Sequence, residues 1–318
     1  MTTSLDPAIA QIIPLLPLRD PDSMTPQSAR ESLLALARSR PPLPPVAEVS
    51  DIKVNGAAGP LAARVYRTGA TPTPTVLFFH GGGWVAGDLE THERQAQSLA
   101  MATGAVVVSV DYRRPPEAPF PAAFEDCFAA LKDVAARIAE FGGDAKRIGV
   151  AGDSAGGNLS AVCAIAARDA GLKLAGQLLA YPVTDVMGLY TDASENARYP
   201  SRQENASGYF LSRAVMVWFS NHYLGAGAKG DDWRVSPLRT KNLAGVAPAI
   251  VCTAFFDPLR DEGQAYADAL EAAGVETKRH HGLGLIHGYF GLGEASAMAK
   301  AEAQRAWADF KILLDRGV

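Results

Sequence analysis

Gly152-Asp153-Ser154-Ala155-Gly156 sets a serine between two glycines, where the apolar run "RIGVAGD" meets the helix-forming run "AGGNLSAVCAIAARDA". A serine hydroxyl is a poor nucleophile until it is held beside a base. A strand, tight turn and helix would strain the Ser154 backbone and lift its Oγ clear of a sheet. Glycines would then stand where a Cβ would collide as strand and helix pass. The motif is short, and the same residues also read as a helix start capped by Ser154 or Asp153. A second cluster, His80-Gly81-Gly82-Gly83-Trp84, follows the apolar run "TVLFF". Its glycines leave backbone N–H groups unshielded, and such donors can face a developing oxyanion. The plain alternative is a flexible turn. Two donors from this loop and the Ala155 N–H would make a three-pronged hole. His80, ahead of the glycines, reads as a hydrogen-bonded brace and not as a base.

The elements around these motifs follow from periodicity. "SDIKVNGAAGPLAARVYRTG" alternates about a Gly/Ala turn and predicts a hairpin. After it, short apolar runs ("TVLFFH", "AVVVSVDY", "RIGVAGD", "LAGQLLAYPV", "AIVCTAFF", "VETKRHHG") alternate with helical patterns. "THERQAQSLAMATG" should end at Gly104, and "FPAAFEDCFAALKDVAARIAEFGG" at Gly142 and Gly143. The last long helix is expected over "EASAMAKAEAQRAWADFKILLD". Continuously apolar strands between helices predict an α/β fold, a mostly parallel mixed sheet covered on both faces. The first 50 residues carry a short helical pattern, a helix with Thr25 as N-cap before Pro26, and a closing proline-rich "PPLPPVAEVS". Residues 187–228 break the rhythm with a polar, loop-like stretch and then the amphipathic "LSRAVMVWFSNHYLG". So long an interruption inside a domain is usually a functional lid. The expected division is 1–50 as N-terminal cap helices, 51–186 and 229–318 as catalytic core, and 187–228 as a cap insertion.

"HGGGW" with "GDSAGGN" resembles the hormone-sensitive-lipase branch of the α/β-hydrolases, the bacterial family IV carboxylesterases. The resemblance continues through "DYRRPPEAPFPAAFEDC", "YPV", "SPL", "DPLRDEG" and "LIHGY" and covers roughly residues 45 to 317. It implies the α/β-hydrolase fold and the chain order serine, acid, histidine. Asp257, opening "DPLRDEG" after "AIVCTAFF", fits the acid, and His287 in "GLIHGY" fits the base. Asp261 and Glu262 fall at the next helix start, where acidic residues complement the helix dipole. His280 and His281 read as structural or exposed, and His92 and His222 as solvated helix residues. The implied reaction has His287 take the Ser154 proton while Asp257 fixes its tautomer and the Gly82, Gly83 and Ala155 N–H groups hold the oxyanion. It needs no metal or organic cofactor. Two departures stand out: Phe255-Phe256 before "DPLRD", and Arg114-Pro115 in "DYRRPPE". Trp84, Phe210, Trp218, Phe219 and Phe255 are the candidate pocket walls, and Asp153 is read as a support behind the serine.

Composition narrows the alternatives. The 318 residues are 48% hydrophobic and 20% charged, enough for a large core. A formal charge of −4 without a long basic run argues against nucleic acid as the main partner. No apolar stretch reaches the ~20 residues of a membrane span, and the N-terminus lacks a secretory leader pattern. Cys127, Cys163 and Cys252, far apart and in apolar segments, suit small core residues in a reducing, cytoplasmic setting. The expected partner is a small-molecule ester with a short to medium acyl chain. A homodimer is an assembly the resemblance allows and no helix here requires. Related hydrolases of lactones, carbamates or acetylated small molecules would use the same residues. Plant gibberellin receptors, which also resemble this family, have lost the histidine; His287 stands in its motif here.

Overall fold

A computed structural model describes residues 3–17, 20–41, 43–44, 46–69, 72–225 and 228–318. Met1, Thr2, Leu18, Arg19, Pro42, Pro45, Ala70, Thr71, Ala226 and Gly227, on which some of the terminal, linker and insertion expectations fall, lie outside the described residues. The strands are β1 (Glu48–Gly56), β2 (Gly59–Arg67), β3 (Thr73–Phe79), β4 (Val106–Val110), β5 (Gly143–Asp153), β6 (Gly176–Ala180), β7 (Ala249–Phe256) and β8 (Thr277–Ile286). They form one sheet in the order β1-β2-β4-β3-β5-β6-β7-β8. The β1–β2 hairpin and the β2–β4 pair are antiparallel, and every later pair is parallel. Strands β3, β4 and β6 are buried along their whole length, as a sheet covered on both faces requires.

The helices are α1 (Pro7–Ile12), α2 (Pro26–Arg38), α3 (Glu93–Thr103), α4 (Ala122–Ala136), α5 (Ala155–Asp169), α6 (Ala193–Ala197), α7 (Ser201–Glu204), α8 (Arg213–Leu224), α9 (Arg260–Ala272) and α10 (Ala297–Arg316). Residues of α4, α5, α8 and α9 share one hydrophobic cluster, and those of α3 and α10 another, so helices lie on both faces of the sheet. Helix α5 is buried from Ala155 to Ala167; only its end reaches the surface. Thr25 caps α2 through the Ser28 amide and Gly104 closes α3 at φ 71°, both as the sequence predicts.

Several boundaries differ from expectation for local reasons. Helix α4 stops at Ala136 and a 3₁₀ turn carries the chain to Gly142. Helix α10 starts at Ala297, because Ser296 turns its hydroxyl onto the Ala299 amide and caps it there. The stretch after residue 187 is not one loop: it holds a 3₁₀ turn over Met187–Tyr190 and the short helices α6 and α7. Among the described residues no helix is long and apolar enough to cross a membrane.

Two registers decide what meets at the carboxyl edge of the sheet. Phe79 pairs with Gly152, which brings the loop after β3 beside the turn after β5. Phe256 pairs with Ile286, which leaves Asp257 and His287 as the next residues out of neighbouring strands.

Candidate active site

Ser154 sits between β5 and α5 with φ 56° and ψ −118°, a conformation rarely adopted by a residue with a side chain. Such strain costs about 1–3 kcal/mol and persists only where the surroundings over-determine it. Here the Ser154 N–H donates to Ala180 O at 2.8 Å, and its carbonyl accepts from Asn158 N at 3.0 Å. The flanking glycines are steric necessities. A Cβ on Gly152 would lie 2.3 Å from Gly156 O, and one on Gly156 would lie 1.9 Å from Phe79 O. Ser154 Oγ stands 2.9 Å from His287 Nε2, and His287 Nδ1 stands 2.8 Å from Asp257 Oδ2. Asp257 is wholly buried, and its other oxygen accepts the Leu259 N–H at 2.9 Å. The Tyr181 ring packs 4.7 Å from the imidazole and restricts its rotation. An oriented imidazole between a hydroxyl and a buried carboxylate can accept the hydroxyl proton.

The glycine loop turns tightly beside the serine. Gly82 (φ 106°) and Gly83 (φ 59°) both lie in the left-handed region, and Gly82 O accepts from Ala86 N at 2.9 Å. A Cβ on Gly83 would meet Phe219 Cγ at 2.1 Å. None of the Gly82, Gly83 and Ala155 N–H groups donates to a protein acceptor among the described residues. The loop is anchored from behind: Asp153 Oδ1 accepts the Gly81 N–H at 3.0 Å, and Tyr112 donates its hydroxyl to His80 O at 2.7 Å. His80 is wholly buried and stacked 4.2 Å from Tyr112. Burial, then the neighbouring His92 and Arg114, push its pKa well below the usual value, so it is neutral and serves as a brace.

Above the serine is a cleft of about 140 Å³ whose floor includes Gly82, Gly83, Ser154 and His287. Phe210, Val215, Met216 and Phe219 wall it on one side, and Leu16, Leu33 and Leu36 of the N-terminal region on another. Trp84 lies beneath this wall, 2% exposed and stacked 4.5 Å from Tyr223.

Residues 76–291 match the alpha/beta hydrolase fold family. This chain is an α/β hydrolase. It belongs to the hormone-sensitive-lipase-like branch of that family. Esterase LipI of Mycobacterium tuberculosis is 38% identical over 317 residues, 98% of this chain and 96% of that protein. Carboxylesterase NlhH of the same organism is 45% identical over 221 residues, 68% of this hydrolase and 66% of its own length. The crystal structure of a thermostable esterase from Pseudomonas putida aligns with TM-score 0.89 at 35% identity, covering 99% of each chain.

The structure of this hydrolase brings Ser154, Asp257, His287, Gly82, Gly83, Ala155, Trp84, Phe210 and Phe219 around one cleft and leaves two candidates outside it. Trp218 faces a separate outer groove with Val217 and Asn221, its ring tilted against that of His222 at 4.0 Å. It precedes its neighbour Phe219 by one residue on α8, and successive helical residues project about 100° apart. Phe255 packs on Phe256 and beneath the Arg260 guanidinium, away from the cleft. His92 is not a solvated helix residue: it is buried at the start of α3, its Nε2 3.2 Å from Gly81 N and 3.4 Å from Asp153 Oδ1. Glu262 does not merely complement a helix dipole. It is wholly buried, paired with the equally buried Arg202 at 2.7 Å, and accepts from Thr184 N at 2.8 Å. His280 pairs with Asp309 at 2.8 Å, a structural role.

Sequence reasoning did not reach Arg202, Asn205 or Ser201. Asn205 donates to Asp257 O at 3.2 Å and Ser201 Oγ to Pro258 O at 2.9 Å, so α7 grips the loop that carries Asp257. A polar stretch read as loop offered no signal for them. Leu33 and Leu36 were findable, because "RESLLALAR" presents an apolar stripe with no partner in its own segment.

Proposed function

We propose that this hydrolase cleaves carboxylic esters with short to medium acyl chains through an acyl-enzyme on Ser154. His287 Nε2 takes the hydroxyl proton as Oγ attacks the ester carbonyl. Asp257 holds the proton on Nδ1 and stabilises the imidazolium that forms. The oxyanion is received by the N–H groups of Gly82, Gly83 and Ala155, each worth about 10²–10³ in rate. His287 then protonates the leaving alkoxide, and water enters by the same route to release the acid.

The carrying observation is the unbroken contact from Ser154 Oγ through both His287 nitrogens to Asp257, at the floor of an apolar cleft. The modest cleft volume favours short to medium chains, and the esterase names of the relatives agree with the reaction class. Residues 1–50 and 187–228 act as a cap over a core of 51–186 and 229–318, a reading supported by the walls that Leu16, Leu33, Leu36, Phe210 and Phe219 supply. The small-molecule partner is an ester. Three free, buried cysteines support a cytoplasmic setting, and a homodimer is the assembly to examine first. Purified protein is expected to hydrolyse p-nitrophenyl butyrate and to be labelled by a fluorophosphonate, with Ser154→Ala abolishing both. Retention of full activity by Ser154→Ala would refute the assignment.

A further inference from the structure

The cleft is not apolar throughout. At the end where the chain leaves α2, its lining includes Arg40, Thr91, His92, Gln95 and Gly291. Most of these polar groups are engaged within the protein. Thr91 bonds Asp88 and His92, and His92 lies against Gly81 and Asp153. Two are not. The Gln95 side chain makes no hydrogen bond to any described residue, although its Oε1 is shielded from solvent. The other end of the same amide, Nε2, carries two N–H donors and has no protein acceptor among the described residues, so it is the end that can take an acceptor from a ligand.

Arg40 is the second. Its guanidinium donates to Gly291 O at 2.8 Å and forms no ion pair among the described residues. The nearby carboxylate of Glu294 is taken by Arg94 at 2.6 Å, and Arg94 is itself a second cation beside Arg40. Burial, and then the repulsion of Arg94, lower the Arg40 pKa, as for a cation short of a counter-charge. The two donors converge. Gln95 Nε2 and Arg40 Nη1 lie 3.2 and 3.8 Å from the point where a Cβ on Gly291 would sit. Nη1 is the atom held by Gly291 O, which fixes the guanidinium there and leaves its Nε and Nη2 donors without a protein acceptor among the described residues. Gly291 carries no side chain to fill that point, and it opens on the cleft.

We propose that Arg40 and Gln95 form a subsite for a hydrogen-bond acceptor carried by the substrate away from its scissile ester, a second carbonyl or a carboxylate. The preferred substrates are then keto esters or half-esters of dicarboxylic acids, not simple alkyl esters. A planar guanidinium beside an amide N–H suits either acceptor. The apolar residues Leu33 and Leu36 line the same cleft and suit the alkyl chain that would join the two polar ends. This inference rests on the ester-hydrolase reading and names the substrate class for the same cleft.

The test compares p-nitrophenyl levulinate with p-nitrophenyl pentanoate, and p-nitrophenyl hemiglutarate with p-nitrophenyl hexanoate. The same pairs are made with the acceptor on the alcohol side of an acetate. At least one acceptor ester is expected to exceed its alkyl counterpart in kcat/KM by about tenfold, the scale of one to two hydrogen bonds. That ratio should fall close to one in both Gln95→Leu and Arg40→Met. Arg40→Lys should keep part of it, and Gln95→Glu should reject the carboxylate arm selectively. No preference in any pair, or a ratio that survives both variants, overturns the proposal. Calorimetric titration of the Ser154→Ala protein with the same esters reads the subsite without turnover. Equal affinity for acceptor and alkyl esters would refute the subsite even where hydrolysis is intact, whereas absent hydrolysis with selective binding would refute only the ester-hydrolase reading.

Discussion

Replacing Asp257 with asparagine removes one charge and almost no volume, and the surroundings dictate how the amide settles. The carboxylate is wholly buried between two donors, Leu259 N–H at 2.9 Å on Oδ1 and His287 Nδ1 at 2.8 Å on Oδ2. The backbone N–H can only donate, so the single oxygen of asparagine must stay against Leu259. Its NH₂ then faces His287. The reverse orientation sets NH₂ against N–H in a buried place and costs about 1–3 kcal/mol. With NH₂ donating to Nδ1, the imidazole carries its proton on Nε2, pointing at Ser154 Oγ, and cannot accept the hydroxyl proton. In the serine-triad template this tautomer error costs about 10⁴ in kcat. Asp257→Asn should therefore lower kcat/KM for p-nitrophenyl butyrate by about 10³–10⁴, or roughly 4–5.5 kcal/mol in barrier. KM should change little, and Tm by only a few degrees, since packing is preserved. Steady-state kinetics and a thermal melt on the same preparation check both. A loss smaller than about tenfold would refute the argument that Asp257 sets the histidine tautomer.

Removing one partner of the buried Arg202–Glu262 pair should cost about 3–5 kcal/mol, so Arg202→Met is expected to unfold early, while Arg202→Met with Glu262→Leu recovers most of the loss. Burial already pushes the Glu262 carboxyl up to about 7. The folded chain thus binds that proton more tightly than the unfolded chain, and the stability this brings is full below about 4.5 and lost as pH rises through about 7. Without Arg202 the folded value climbs further, so the deficit of Arg202→Met should be level at acidic pH and change only as pH rises through and past about 7 in denaturant titrations, where the two folded proteins differ in protonation; a deficit independent of pH would sink this account. Phe219→Ala should move the acyl-chain optimum toward longer esters, because its ring closes the cleft beside Gly83. Trp218→Ala should leave that optimum where it is, and a shift equal to that of Phe219→Ala would contradict their placement in two separate cavities.

Much of the fold could be read locally. The hairpin, the α/β alternation, the Thr25 cap and the Gly104 stop each depend on a few neighbouring residues whose periodicity or backbone freedom allows one outcome. The same holds for the serine turn, where Gly152 and Gly156 meet backbone at distances no Cβ tolerates. Expectation failed where one residue's environment comes from elements distant in the chain. His92 read as solvated because its own helix is polar, yet the Gly81 loop and Asp153 close over it. Glu262 read as a helix-start acid, yet Arg202, sixty positions earlier, buries against it. Phe255 and Trp218 each adjoin an aromatic, and sequence alone does not say which of two neighbours faces the cavity.

The amino-acid sequence by itself determined that a strained serine would stand at a strand–helix junction, with unshielded glycine amides on another strand's end and an acid and a histidine further along. The serine turn and the glycine loop are properties of short segments, set by sterics and hydrophobic period, whereas the roles of the acid and the histidine follow from the family resemblance. Only the tertiary structure decided that these segments meet, because the Phe79–Gly152 and Phe256–Ile286 registers place four separate loops along one edge of the sheet. It alone decided the polar end of the cleft, since Arg40 and Gln95 belong to segments whose own patterns give no reason for them to converge at Gly291. Register and packing are set by the sum of many long-range contacts, and no local stretch carries that sum.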